Sequence, residues 1–134
     1  MLGAFCRATD SGDFAAWVDL FTPDGCFEMT GQVHTGRDQL LRFIEQDQPP
    51  EKRGLHLSVN PWVTVNGSTG RARSDFLFVA MTGTGPAIIA TGAYLDDVAR
   101  TADGRWQFSR REALISMLHP ATKSDEFGNP GAAG

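Results

Sequence analysis

The chain has 134 residues and a formal net charge of −4, with 41% apolar, 10% aromatic and 21% charged residues. That is one domain's worth of sequence, and nine Phe and three Trp within it exclude an intrinsically disordered chain. No excess of positive charge is present to hold nucleic acid or an anionic membrane, and no apolar run approaches the roughly 20 residues of a membrane helix. The first residues lack the basic start and apolar stretch of a signal peptide, so a soluble cytoplasmic domain is expected.

Leu2, Phe5, Cys6 and Thr9 fall at helical spacing and predict a short amphipathic helix over residues 1–9. Ser11-Gly12-Asp13 breaks it and offers N-cap oxygens to a second helix, which carries Phe14, Trp17, Val18 and Phe21 as an apolar stripe. Thr22-Pro23-Asp24-Gly25 reads as a turn, because proline fixes φ and glycine tolerates positive φ. Residues 26–30 alternate like a strand, Gly36 ends a loop, and residues 38–46 predict a third helix on Leu40, Leu41, Phe43 and Ile44. A solvated loop over residues 46–54 contains Pro49 and Pro50, which cannot continue a helix.

Four long strands follow, over residues 55–65, 71–81, 87–98 and 105–118, joined at Asn66-Gly67, at residues 82–86 and at Ala102-Asp103-Gly104. Residues 119–134, rich in Pro, Gly and Ala, read as a disordered tail beyond a domain of residues 1–118. Helices at the front and a meander at the back give an α+β fold, with helices on one face of a curved antiparallel sheet. Strands of about ten residues exceed the usual five or six, and such strands are expected to curl into a cone around an apolar interior.

Cys6 and Cys26 make neither a disulfide framework nor a zinc site, and read as small buried thiols. His34, His56 and His119 stand at no metal-ligand spacing, so no metal is expected, and His34 and His119 are assigned no role. Neither a glycine-rich phosphate loop nor a nucleophile elbow is present. Chemistry is left to a few titratable groups in a cavity, with no cofactor implied.

Several stretches carry a resemblance. They are Cys6-Arg7-Ala8-Thr9-Asp10-Ser11-Gly12-Asp13-Phe14-Ala15-Ala16-Trp17, Leu20-Phe21-Thr22-Pro23-Asp24-Gly25, Thr35-Gly36-Arg37, and His56 with Asn60. Arg71-Ala72-Arg73-Ser74, Gly92-Ala93-Tyr94-Leu95-Asp96-Asp97 and Gly104-Arg105-Trp106-Gln107-Phe108 with Arg110-Arg111 continue it. In this order they resemble the SnoaL-like branch of the nuclear transport factor 2-like superfamily. The resemblance implies a cone-shaped α+β barrel, its mixed sheet closed by the N-terminal helices around a deep pocket. It also implies a homodimer through the outer sheet face. Members include scytalone and bile-acid dehydratases, ketosteroid isomerase, limonene epoxide hydrolase, polyketide cyclases and the β subunits of ring-hydroxylating dioxygenases, so fold alone does not decide activity.

In the dehydratases of this group an Asp at the place of Asp10 works with a His at the place of His56. Such a pair suits loss of water, because one group removes a proton and the other protonates the departing hydroxyl. The bland alternative makes Asp10 a helix cap and His56 a hydrogen-bonded core residue. Alternation puts His56, Ser58 and Asn60 on one face, inward if the resemblance holds. Phe5 stands where the dehydratases have a pocket tyrosine and cannot donate a hydrogen bond. Tyr94, the chain's one tyrosine, could supply that hydroxyl from another wall or sit at the rim.

Arg73 and Asp75 form an R-x-D resembling part of the epoxide-hydrolase group, but residues 109–112 read Ser-Arg-Arg-Glu, without the partner Asp. Alternation with Ala72, Ser74, Phe76 and Phe78 turns Arg73 and Asp75 outward. Arg110 shares parity with Trp106 and Phe108, so it either reaches the cavity to hold an anionic or carbonyl group or pairs across the sheet. Phe5, Trp17 and Phe76 are read as core and pocket wall together. The expectation is a cofactor-free lyase or isomerase acting on a hydrophobic, polycyclic or steroid-like molecule. Asp10 and His56 are its acid–base pair, and Tyr94, Asn60, Arg110, Phe5, Trp17 and Phe76 its substrate-binding residues. A non-catalytic binding or assembly protein and an epoxide hydrolase or cyclase are the alternatives.

Overall fold

Helix α1 (Leu2–Ser11) runs two residues past its expected end, and Thr9 Oγ1 donates back to the Phe5 carbonyl at 2.7 Å. Gly12 stops it at φ 78°, a left-handed turn that glycine makes cheaply, with its N–H bonded to the Ala8 carbonyl. Asp13 then caps α2 (Phe14–Asp19), its Oδ1 accepting the Ala16 N–H at 3.2 Å. The computed structural model describes residues 1–120, so the expected tail lies outside the described residues from residue 121 onward.

Phe21 opens β1 (Phe21–Met29) instead of closing α2, and the stretch expected to turn at residues 22–25 lies inside that strand. Long-range bonds override the local turn chemistry here. Phe108 N–H donates to the Leu20 carbonyl at 2.8 Å, and Gln107 Nε2 donates to the carbonyls of Asp19 and Phe21 at 3.0 and 3.1 Å. What survives of the turn is a register shift against the neighbouring strand between Phe21 and Cys26. Thr30 and Gly31, at φ 51° and 80°, then reverse the chain into β2 (Gln32–Thr35), a strand where the sequence predicts loop.

Helix α3 (Arg37–Asp47) and a 3₁₀ turn at Pro50–Lys52 lead to the meander of β3 (Leu55–Asn66), β4 (Thr69–Thr82), β5 (Gly85–Arg100) and β6 (Trp106–Leu118). All six strands form one sheet in the order β2-β1-β6-β5-β4-β3, with β1 parallel to β6 and every other pair antiparallel. The α+β class and the mixed sheet are as expected. The closed cone is not: β2 and β3 are free edges that no ladder joins, so the sheet is open and does not itself enclose a pocket. Long strands favour twist and curl, but closure needs a further hydrogen-bonded pair across the edges.

Among the sheet's register shifts, one on β3 and one on β6 reset which of the expected site residues face in. On β3, Val59 pairs with Asp75 and Trp62 with Arg73, so Asn60 and Pro61 together oppose Ser74, and Asn60 takes φ 53°. On β6, Arg110 pairs with Asp97 and Phe108 with Val98, so Ser109 is the extra residue and parity inverts beyond it. The core centres on Trp17, fully buried and ringed by Phe5, Phe21, Phe27 and Phe43 at centroid distances of 5.6, 4.9, 5.8 and 6.3 Å. Leu55, Leu57, Leu114 and Met117 are exposed on the opposite face of the sheet.

Candidate active site

A cavity of about 720 Å³, partly open to solvent, lies between the inner face of the sheet and the helices. Phe76 and Phe78 of β4 and Ile89, Ala90 and Tyr94 of β5 form its floor, while Phe5 and Thr9 of α1 close one side. Its size and apolar lining suit a small hydrophobic ligand.

Asp10 and His56 meet at the edge of this cavity, where α1 lies against β3. The carboxylate holds His56 twice: Oδ2 accepts the backbone N–H at 2.8 Å, and Oδ1 stands 2.6 Å from ring Nδ1. The imidazole packs tilted against Phe78, ring centres 4.5 Å apart, and His56 and Asp10 are largely buried, with side chains 13% and 14% exposed. A carboxylate can only accept, so Nδ1 is the donor in this contact, and the tautomer that fits it leaves Nε2 to present a lone pair. His56 lines the cavity; Asp10 stands behind it as its anchor.

Tyr94 is buried and borders the cavity, stacked on Phe76 at 4.7 Å. Burial raises the pKa of its hydroxyl well above the usual range, against the pull of nearby Arg111, so the hydroxyl keeps its proton. Phe5, Trp17 and Phe76 border the cavity and belong to the core as well. Asn60 and Arg110 do not reach it. The β3 bulge turns Asn60 outward, where its Nδ2 donates to Asp75 Oδ2 at 3.1 Å. The β6 bulge leaves Arg110 paired with Glu28 and, at 3.6 Å, with Glu112. Arg73 is exposed on the outer side, so the R-x-D motif stays away from the cavity.

Arg111 takes the inward place that the sequence reading gave to Arg110. It is wholly buried, its guanidinium 3.7 Å from the Tyr94 ring centre, 4.2 Å from that of Phe5 and 4.5 Å from that of Phe108. Asp96, its cross-strand neighbour, brings Oδ1 to 3.1 Å from Arg111 Nε, yet neither group finds a well-aligned hydrogen bond. Burial therefore pushes the Asp96 carboxyl up to about 6, against Arg111, and holds the Arg111 guanidinium below its usual range. Burial also raises the thiols of Cys6, which is buried as expected, and of Cys26, which is only half-buried, so each holds less thiolate than a free cysteine.

His34, assigned no role from sequence, borders the cavity, tilted against Phe43 with ring centres 4.3 Å apart and its pKa lowered by burial. The unforeseen β2 brings it there. Among the described residues no group of His, Cys, Asp and Glu is placed to hold a metal ion, and no helix is long and apolar enough to cross a membrane.

No curated protein matches this sequence. Among solved structures, Rv3472 of Mycobacterium tuberculosis, described as a function unknown protein, matches with a TM-score of 0.84 at 25% identity, over 94% of this chain and 77% of that one. An NTF2-like protein with a cystatin-like fold from Novosphingobium aromaticivorans matches with 0.79 at 24%, over 90% and 80%. A Catenulispora acidiphila protein in complex with S-DNPA matches with 0.73 at 24%, over 84% and 87%. These likenesses agree on the fold, and a family model extends the agreement to sequence. With residues 1–112 matching the SnoaL-like domain, the chain belongs to the SnoaL-like family.

Proposed function

We propose that this chain binds a hydrophobic, polycyclic or steroid-like molecule and performs acid–base chemistry of the dehydratase or isomerase type on it. The observation that carries the reading is the imidazole of His56, anchored to Asp10 at 2.6 Å and bordering an apolar cavity. In this scheme Nε2 removes a proton beside a carbonyl, and the resulting imidazolium returns it to the departing hydroxyl, which leaves as water. Asp10 holds the tautomer and balances the imidazolium charge. Tyr94 donates its hydroxyl to the substrate oxygen, in place of the donor that Phe5 cannot supply. The proposal extends to a homodimer through the outer sheet face, where Leu57 and Leu114 are exposed.

The test is conversion of a polycyclic β-hydroxyketone to its enone. His56→Ala should lower the rate about hundredfold or more, while the chain keeps its fold. An unchanged rate removes His56 from the chemistry. The alternative is a non-catalytic binding or assembly role, favoured by Phe5, whose ring packs 5.5 Å from Tyr94 and offers the cavity no donor. Recovery of an unaltered ligand with the purified protein would support it.

A further inference from the structure

The cavity has two unlike walls. The floor formed by β4 and β5 is aromatic and aliphatic, but the residues of α3 that border the cavity include Gln39, Arg42, Phe43, Gln46 and Asp47. Their spacing is i, i+3, i+4, i+7 and i+8, one continuous helical face. Lys52 joins this wall from the 3₁₀ turn and Gln48 from the loop between them. Neither Arg42 nor Lys52 has an ion-pair partner among the described residues. Asp47, the carboxylate on the same wall, already accepts Gln48 Nε2 at 3.0 Å. Gln48 is only 8% exposed, and its Oε1 is buried with no hydrogen-bond partner among the described residues. A buried acceptor left empty costs free energy, so a small shift of this side chain that opens Oε1 to a donor in the cavity is favoured.

From these observations we infer that the α3 wall is a head-group subsite, and that the ligand is an amphiphile with a flat apolar body and a terminal carboxylate. The body lies against Phe76, Phe78 and Tyr94, and the carboxylate meets Arg42 and Lys52. Gln48 Oε1 accepts a hydroxyl or amide N–H beside that carboxylate. Gln48's amide cannot turn over to present its NH₂ instead, because Asp47 needs a donor. This inference rests on the small-molecule reading of the cavity but not on its acid–base chemistry.

The probes are 1-pyrenebutyrate and its neutral counterpart 1-pyrenebutanol, titrated by fluorescence. The native chain should bind the carboxylate about tenfold more tightly, the scale of two partly exposed ion pairs. Arg42→Gln combined with Lys52→Gln should bring the two affinities within about twofold, leaving that of the alcohol unchanged. His56→Ala should keep the preference. A carboxylate preference without lyase activity would uphold the subsite while removing the catalytic reading. Equal binding of the two probes, binding of neither, or a preference that survives in the double variant overturns the subsite.

Discussion

Asp10 with His56 and Asp96 with Arg111 are two carboxylate pairs built in opposite ways. Asp10 and His56 join α1 to the edge strand β3 through two well-formed contacts of 2.8 and 2.6 Å, one face of the pair turned to a cavity. Asp96 and Arg111 join β5 to β6 in the core, 3.1 Å apart, wholly buried, with no aligned hydrogen bond between them. The first pair is satisfied and borders the cavity through His56. The second faces three aromatic rings, and the guanidinium is held by its contact with Tyr94, Phe5 and Phe108. Good geometry at the cavity and poor geometry in the core separate a pair suited to proton transfer from one that serves packing.

The largest expected effect comes from breaking the core pair. Arg111→Ala strips the cation from Asp96 and leaves a void among three rings, and should cost about 3–5 kcal/mol in urea unfolding. Combining Asp96→Leu with Arg111→Met removes both charges and keeps most of the volume, and should recover most of that loss. A double variant no more stable than Arg111→Ala would make the ion pair, not the packing, the source of stability.

Proton linkage sharpens the same contrast. Burial raises the Asp96 carboxyl from 3.8 to about 6, so between these values the folded chain holds a proton that the unfolded chain has released. Its contribution to stability is therefore full below pH 3.8 and fades as the pH rises through about 6. One proton allows a slope of at most about 1.4 kcal/mol per pH unit. Urea midpoints of the native chain relative to Asp96→Asn should fall between pH 4 and pH 7. A difference that grows with pH would mean that Arg111 stabilises the carboxylate more than burial opposes it.

The sequence made one of these pairs legible and hid the other, for a physical reason. Alternation along β3 holds from Leu55 to Val59, and His56 lies within that span. Asn60 lies one step beyond it, where Pro61 lacks an N–H for the ladder and the strand bulges. On β6 the extra residue is Ser109, which nothing in its local sequence marks, so parity counted from Phe108 selects Arg110 when the chain buries Arg111. The meander was readable because each of its connections carries its own turn residues. β2 was not, since its four residues become a strand only by pairing with β1. Strand closure is likewise a property of edges that meet or fail to meet, which no local spacing records.

The smallest change expected in stability, and the most informative at the cavity, is Asp10→Asn. The amide oxygen can keep the bond from the His56 backbone N–H, while its NH₂ replaces an acceptor with a donor opposite Nδ1. The imidazole can answer by moving its proton to Nε2, so that Nδ1 accepts and both contacts persist without charge assistance. The loss of that assistance should cost about 1 kcal/mol in urea unfolding. Catalysis under the proposed scheme would fare far worse, because Nε2 would then carry a proton and could not remove one. The rate should fall about hundredfold or more, as for loss of an acid–base group, although the ring stays in place. A variant that keeps its rate would show that the Asp10 clamp is structural, like the pair buried beneath Tyr94.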